Sequence, residues 1–334
     1  MEDQYTNPDQ LNTTPTEAES LSWQKRFRIG RILRWGICLV LLLWLLANWY
    51  SDIPVHTLAL QYGYPDSRFM ELDDMTVHYR ISGKGEPIVL LHDANSSLHT
   101  WAEWTDSLSK KYQVISLDLP GFGLTGPHPQ GSYSTFMYVN FFDQFVQKLN
   151  LRRFHLAGNG MGAQIAWFYA TEHPLKLRKL ILLDAPGFET KSTSALEIFA
   201  RTPVINRTLW QITPKPFIRL MLEEVYADDK KVNSALVQRY FDLLRRPGNR
   251  KAFTDRAQVS ENRPPVDLIA QIRTPTLILW GAEDTRLSPE FAYEFHGKIR
   301  RALLKIYQNT GHWPQEENGG ASATDVQAFL EGRF

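Results

Sequence analysis

Apolar and polar positions follow two different periods along most of this 334-residue chain. Over 69–72 and 75–81 they alternate, with a break at Asp73-Asp74, which predicts a β-hairpin. Short unbroken apolar runs follow at 87–91, 112–117, around Phe154, at 180–183 and at 276–280. Runs of that length are expected of strands buried on both faces of a sheet. A last strand is expected over 302–307. Between the runs the period becomes helical, most clearly at Tyr138, Phe141, Phe142, Phe145 and Leu149. Helices are also expected over 101–110, 164–169 and 289–295, and at the C-terminus through Val326, Phe329 and Leu330. A hairpin followed by strand–helix units predicts an α/β fold, a mostly parallel, doubly wound sheet covered by helices on both faces.

The alternation lapses over 188–263. Only helical periods occur there: Leu196 and Phe199; Phe217, Leu220, Met221 and Val225; Leu236, Tyr240, Leu243 and Leu244. The interval is too patterned for a structureless loop and has no strand to add to the sheet, so it reads as a helical insertion.

The N-terminus departs from this pattern. Residues 1–24 carry five acids and no Lys or Arg, the composition of a disordered acidic tail. Lys25, Arg26, Arg28, Arg31 and Arg34 come next, then 13 uninterrupted apolar residues from Trp35 to Ala47. Counting residues 32–50, with Arg34 and Asn48 inside, gives 19, near the roughly 20 of a spanning helix. A transmembrane signal-anchor helix is therefore expected within 25–50, embedded in a lipid bilayer through residues 32–50. Basic residues before it and none soon after predict a cytoplasmic N-terminus, with the rest of the chain periplasmic or extracytoplasmic.

Composition excludes more than it suggests. The chain is 43% hydrophobic and 22% charged, with net charge +1. That balance, without a basic stripe, gives no reason to expect nucleic-acid binding. A single cysteine, Cys38, rules out an intrachain disulfide and a thiolate zinc site.

Candidate chemistry lies at the carboxyl ends of the expected strands, where ligands of such sheets gather. Those ends hold His92, Asp118, Gly160, Asp184, Asp284 and His312. Around Gly160, the stretch "LAGNGMGAQIA" joins a strand to a helix through glycines. Its spacing fits two uses. One is the nucleophile elbow, G-x-S-x-G. The other is the dinucleotide fingerprint G-x-G-x-x-G/A, through Gly158, Gly160 and Ala163, with Asp184 as a ribose-binding acid 21 residues on.

Several segments, in order, resemble the α/β-hydrolase fold family over roughly residues 65–334. "PIVLLHDANSSLHTW" is similar to its oxyanion strand and loop, and "SLDLPGFGLTGP" to the turn after its next strand. "LAGNGMGAQIA" stands where the elbow belongs, "LILWGAEDTRLSP" where the acid loop belongs, and "NTGHWPQEE" where the histidine loop belongs. The resemblance implies Asp284 as the acid, His312 as the general base, and the backbone N–H groups of Ala94 and Met161 as the oxyanion hole. It also implies that 188–263 is a helical cap over a pocket for a small apolar or ester-like molecule. No cofactor and no metal are implied.

Two positions depart from the family pattern. Gly160 stands at the nucleophile position, so an acyl-enzyme cannot start there. Asp93 replaces the glycine of His-Gly, where a carboxylate opposes a developing oxyanion. Three readings follow for a hydrolase frame of this kind: a pseudoenzyme that binds a ligand or partner; serine-free chemistry by Asp284 and His312; or weak hydrolysis of small esters. An oxidoreductase binding NAD through the Gly158-Gly160-Ala163 fingerprint, or a purely structural docking domain, are the alternatives. His92 and Asn159 read as structural, Asp118 and Asp184 as turn residues, and Trp101, Trp167 and Trp280 as core.

Overall fold

The computed structural model describes residues 17–188, 212–259 and 264–334. Two compact units are distinguished, Met1–Trp49 and Tyr50–Phe334. The described part of the first is one helix, α1 (Glu17–Ala47), followed by a turn. Of the tail expected to be disordered, residues 1–16 lie outside the described residues, whereas 17–24 form the start of α1.

The expected membrane anchor is not found. No helix among the described residues is long and apolar enough to cross a membrane. The physical reason is length. Thirteen uninterrupted apolar residues rise only about 20 Å in a helix, against roughly 30 Å of hydrocarbon. Extending the run to 19 takes in the Arg34 charge and passes beyond Ala47, where α1 stops. The single-pass topology, with its cytoplasmic N-terminus and extracytoplasmic domain, falls with the anchor.

The second unit opens with the short helix α2 (Val55–Tyr62) and then builds an eight-stranded sheet in the order β1-β2-β4-β3-β5-β6-β7-β8. β1 (Ser67–Leu72) and β2 (Met75–Ser82) form the hairpin, turning at Asp73 and Asp74, both with positive φ. β2 pairs antiparallel with β4 (Tyr112–Leu117). The remaining pairs are parallel, through β3 (Glu86–Leu91), β5 (Phe154–Asn159), β6 (Leu177–Leu183), β7 (Thr276–Gly281) and β8 (Ala302–Tyr307). Every residue of β5 and β7 is buried, as their continuous apolar character requires.

Helices α3 (Ala102–Leu108), α4 (Thr135–Lys148) and α5 (Met161–Glu172) follow β3, β4 and β5. One core packs Phe141, Phe142, Phe145, Trp167 and Trp280 against one face of the sheet. The opposite face packs Trp101, Trp104 and the C-terminal helix Gly319–Leu330 through Val326 and Phe329. Within 212–259 three α-helices are described, Lys215–Glu223, Ser234–Leu244 and Asn249–Gln258, with their own apolar cluster around Leu222, Val237 and Phe241. Leu196 and Phe199 lie outside the described residues.

Strand order fixes where a site can form. β4 lies on one side of β3 and β5 on the other. The connections leaving β3 and β5 therefore diverge, and a crevice opens at their carboxyl ends. Close helix–strand approach narrows that crevice. A Cβ on Gly162 would overlap the backbone carbonyl of Leu91, and one on Gly158 would overlap that of Gly162. Gly162→Ala should therefore lower the unfolding free energy by about 1–3 kcal/mol or more. Gly320 lies inside the last helix, and a methyl group there would have no neighbour within 4 Å. Gly320→Ala should therefore be neutral or stabilising by about 0.5–1 kcal/mol. Urea denaturation of both variants checks this, and equal effects would contradict it.

Candidate active site

Gly160 links β5 to α5 with φ +51° and ψ −120°. An L side chain enters that region only under strain, which is the backbone of an elbow. No side chain rises from it. The space is filled instead by Asp93, from the loop after β3. A Cβ on Gly160 would overlap the Asp93 carboxylate. Asp93 Oδ1 accepts the Met161 N–H at 2.8 Å. Its Oδ2 lies 3.3 Å from His312 Nε2 and accepts the Trp313 indole N–H at 3.4 Å. The first free N–H of α5, a natural anion site, is thus satisfied by the protein's own carboxylate.

His312 is held from both sides. Its Nδ1 lies 2.7 Å from Asp284 Oδ2, while Asp284 Oδ1 accepts the N–H groups of Arg286 and Leu287. The histidine loop is tied to the helical insertion by His312 N–H donating to Val225 O at 2.8 Å. Glu317 adds to this by accepting the N–H groups of Gly311 and Ala227. Asn159, next to Gly160, donates to the His312 carbonyl at 3.0 Å, and Gln315 donates to Asn159 in turn.

The charges follow from this geometry. Burial alone would lower the His312 pKa, but the facing carboxylates of Asp284 and Asp93 outweigh it and raise the value to about 10. Burial alone would raise the Asp93 pKa, but the hydrogen bond and charge of His312 hold it well below the usual carboxylate range. At neutral pH His312 is therefore an imidazolium, with both ring nitrogens donating. The expected general base, with a free Nε2, is not what this arrangement presents.

Asp184 completes the cluster. It is fully buried at the end of β6, with φ +43°, and accepts the Gly281 N–H at 3.0 Å. Burial, then the charge of Asp284, push its pKa well above the ordinary carboxylate value. Among the described residues, Asp184, Asp284 and His312 bring ligand-type atoms within 4.8 Å of one another. Within this trio His312 Nδ1 is committed to Asp284 Oδ2 at 2.7 Å.

The strand-end residues thus divide. Asp93, Gly160, Asp284, His312 and Asp184 converge, while Ala94 follows Asp93 on the same loop. His92 is structural, with Nδ1 on Asp93 O at 2.7 Å and Nε2 accepting Leu119 N–H at 2.9 Å. Asp118 is more than a turn residue: it is a buried hub for His78 and for the N–H groups of Leu98 and Leu124. Trp101, Trp167 and Trp280 are fully buried core. The dinucleotide reading does not fit. The α5 N-terminus that would receive a pyrophosphate already holds a carboxylate, and Asp184 is fully buried, with no exposed carboxylate to offer a ribose. The parts played by Trp313 and Asp184 were not legible in the sequence; two glycine-pattern departures at 93 and 160, occurring together, were the available signal.

A pocket lies beside the loop after Asp93. Asn95, Ser96 and Ser97 edge it, and its walls are mostly apolar, through Phe122, Phe217, Met221, Leu243 and Phe253. Tyr240 lines it as well, and its ring stacks on Trp313 with centroids 5.6 Å apart. The Tyr240–Trp313 pair thus links the pocket to the Asp93 carboxylate.

The buried ion pair has a defined pH signature. The His312 pKa is raised, so its contribution to stability is fully present below about pH 6.5 and is lost as pH rises through about 10. The Asp93 pKa is lowered, so its contribution is present above about pH 4 and is lost as pH falls. Asp93→Asn should cost about 1–3 kcal/mol. The difference from wild type should be largest between about pH 4 and 6.5 and shrink toward pH 10. Urea unfolding at several pH values measures it, and a pH-independent difference would contradict the assignment.

A profile of the alpha/beta hydrolase fold matches residues 86–319. The chain is 29% identical over 260 residues to 2-hydroxy-6-oxo-2,4-heptadienoate hydrolase of Pseudomonas putida, covering 74% of this chain and 90% of that protein. It is 26% identical over 262 residues to 2-hydroxy-6-oxo-6-phenylhexa-2,4-dienoate hydrolase of Comamonas testosteroni, covering 74% and 88%. Among solved structures, a membrane phospholipase A described as a bacterial virulence factor superposes with TM-score 0.68 and 25% identity, over 92% of this chain and 99% of that one. A meta-cleavage product hydrolase from Pseudomonas fluorescens superposes with TM-score 0.70 and 24% identity, over 80% and 98%, a likeness of fold alone. With the profile match spanning most of the eight-stranded domain, the chain belongs to the α/β-hydrolase fold family.

Proposed function

We propose that this chain is a hydrolase-fold binding protein. In this reading its mostly apolar pocket takes a small molecule with an ester or oxo-acid group, and serine-type turnover is off. The observation that carries the reading is the Asp93 carboxylate over Gly160. It takes the volume of a nucleophile side chain, the Met161 N–H of the expected oxyanion hole and the Nε2 of His312 at once. An oxyanion hole stabilises charge that develops in the transition state. One already filled by a resident anion has nothing left to offer. The relatives named above, hydrolases of 2-hydroxy-6-oxo dienoic acids and a phospholipase A, support an apolar chain bearing a carbonyl group as the ligand class.

Restoring a serine tests the reading. Gly160→Ser alone forces its Cβ into Asp93, so a fluorophosphonate should label the elbow peptide slowly or not at all. Asp93→Gly with Gly160→Ser should be labelled there at least about tenfold faster, a small recovery of the ~10⁶ that a lost nucleophile costs. Equal labelling of the single and double variants would show that Asp93 is not the block. An adduct on the wild-type elbow peptide or on Asp93 would overturn the reading.

A further inference from the structure

A second Ser–His–Asp arrangement lies outside this centre, at the hairpin edge of the sheet. Ser67 Oγ is 2.8 Å from His78 Nε2, and His78 Nδ1 is 2.7 Å from Asp118 Oδ2. The strand register brings the three together. Phe69 pairs with His78 and Ser67 with Arg80, so Ser67 and His78 are diagonal neighbours on one face of the hairpin. Asp118 ends β4 beside β2 and is fixed by the N–H groups of Leu98 and Leu124. Burial alone would raise the Asp118 pKa, but the adjacent His78 outweighs it and holds the value near about 2, so the residue is an anion.

Asp118, as an anion, accepts the Nδ1–H of His78, and Nε2 then faces the Ser67 hydroxyl at 2.8 Å. The Tyr64 N–H donates to Ser67 Oγ at 2.9 Å, which uses one lone pair. One lone pair remains on the oxygen. His78 and Asp118 are fully buried, whereas Ser67 is half-exposed. Bracing β1 to β2 requires no hydroxyl at the water side of this relay. Arg80, opposite Ser67, brings a positive charge to the same face, held by Asp66 at 2.6 Å and by the Tyr64 ring at 4.1 Å.

We propose that Ser67 is an activated nucleophile that accepts the acyl group of small activated esters. Ser67 Oγ attacks the carbonyl carbon while its proton passes to His78 Nε2. The tetrahedral oxyanion then collapses, the carbon–oxygen bond to the leaving group breaks, and the departing alkoxide or phenoxide takes the proton from His78. The products are acyl-Ser67 and an alcohol or phenol. Asp66 neutralises much of the Arg80 charge, so the oxyanion is only modestly stabilised and the reaction is a stoichiometric acylation without fast turnover.

The test is to incubate the full chain with 4-nitrophenyl acetate and, separately, with a fluorophosphonate, and to map adducts by mass spectrometry. One acetyl group or one phosphonate per chain is expected, on the peptide containing Ser67. Ser67→Ala should abolish it, and Asp118→Asn, if folded by circular dichroism, should slow it at least about tenfold, since the carboxylate sets the histidine tautomer. No adduct on Ser67 in the folded wild type would overturn the proposal, and so would equal modification of Ser67→Ala. An adduct at the elbow peptide would instead count against the binding function proposed above, so the two failures are distinguishable.

Discussion

The carboxylate of Asp93 sits in a buried pocket between the first N–H of α5 and the ring of His312. Isolating such a charge from water costs several kcal/mol, and only close partners repay it. Here the partners are fixed by three separate elements: the elbow, the histidine loop and, through Asp284, the loop after β7. Removing His312 would leave the buried Asp93 and Asp284 carboxylates without the cation that faces both. The same logic explains Gly160. With Asp93 in place, a side chain there has no room, and with no side chain there, the helix N-terminus and the imidazolium need another anion. Asp93 and Gly160 are thus complementary across the crevice: the carboxylate of one fills the space left open at the other.

That arrangement differs from a serine elbow in what it leaves free. A serine elbow leaves its helix N–H free for a transient oxyanion and its histidine neutral for proton transfer. This centre commits both to a permanent ion pair. What stays open is the apolar pocket beside Asn95–Ser97, connected to the ion pair through the stacked Tyr240 and Trp313. The proposed binding function rests on that pocket.

The sheet was legible because its strands are buried on both faces. Runs such as 276–280 leave no choice of face, and the hairpin announces itself by alternation and by Asp73-Asp74. The positions of Asp284 and His312 followed from strand ends, and the structure brings them within 2.7 Å. Side-chain direction was not legible. Spacing places Asp93 on a loop, but only the diverging connections of β3 and β5 aim its carboxylate across to Gly160. Charge was equally hidden, since it depends on burial and on partners brought together only by the fold: Asp284 raises the pKa of Asp184 from 100 residues away, and Asp93, 219 residues from His312, joins Asp284 in raising that of the histidine. The N-terminal helix misled for a simpler reason. Counting apolar residues across Arg34 and past Ala47 summed hydrophobicity over a length that the helix does not supply as one uninterrupted run.

Everything proposed for the elbow depends on the charge state of His312. Nitrogen-15 NMR of the histidine rings across pH reads it directly. Both ring nitrogens of His312 should stay protonated from about pH 6 to 9, with titration near pH 10. Asp93→Asn should move the midpoint down by a unit or more, about 1.4 kcal/mol per unit. A His312 that titrates near 6.5 in the wild type, with a neutral ring at pH 8, would contradict the permanent ion pair.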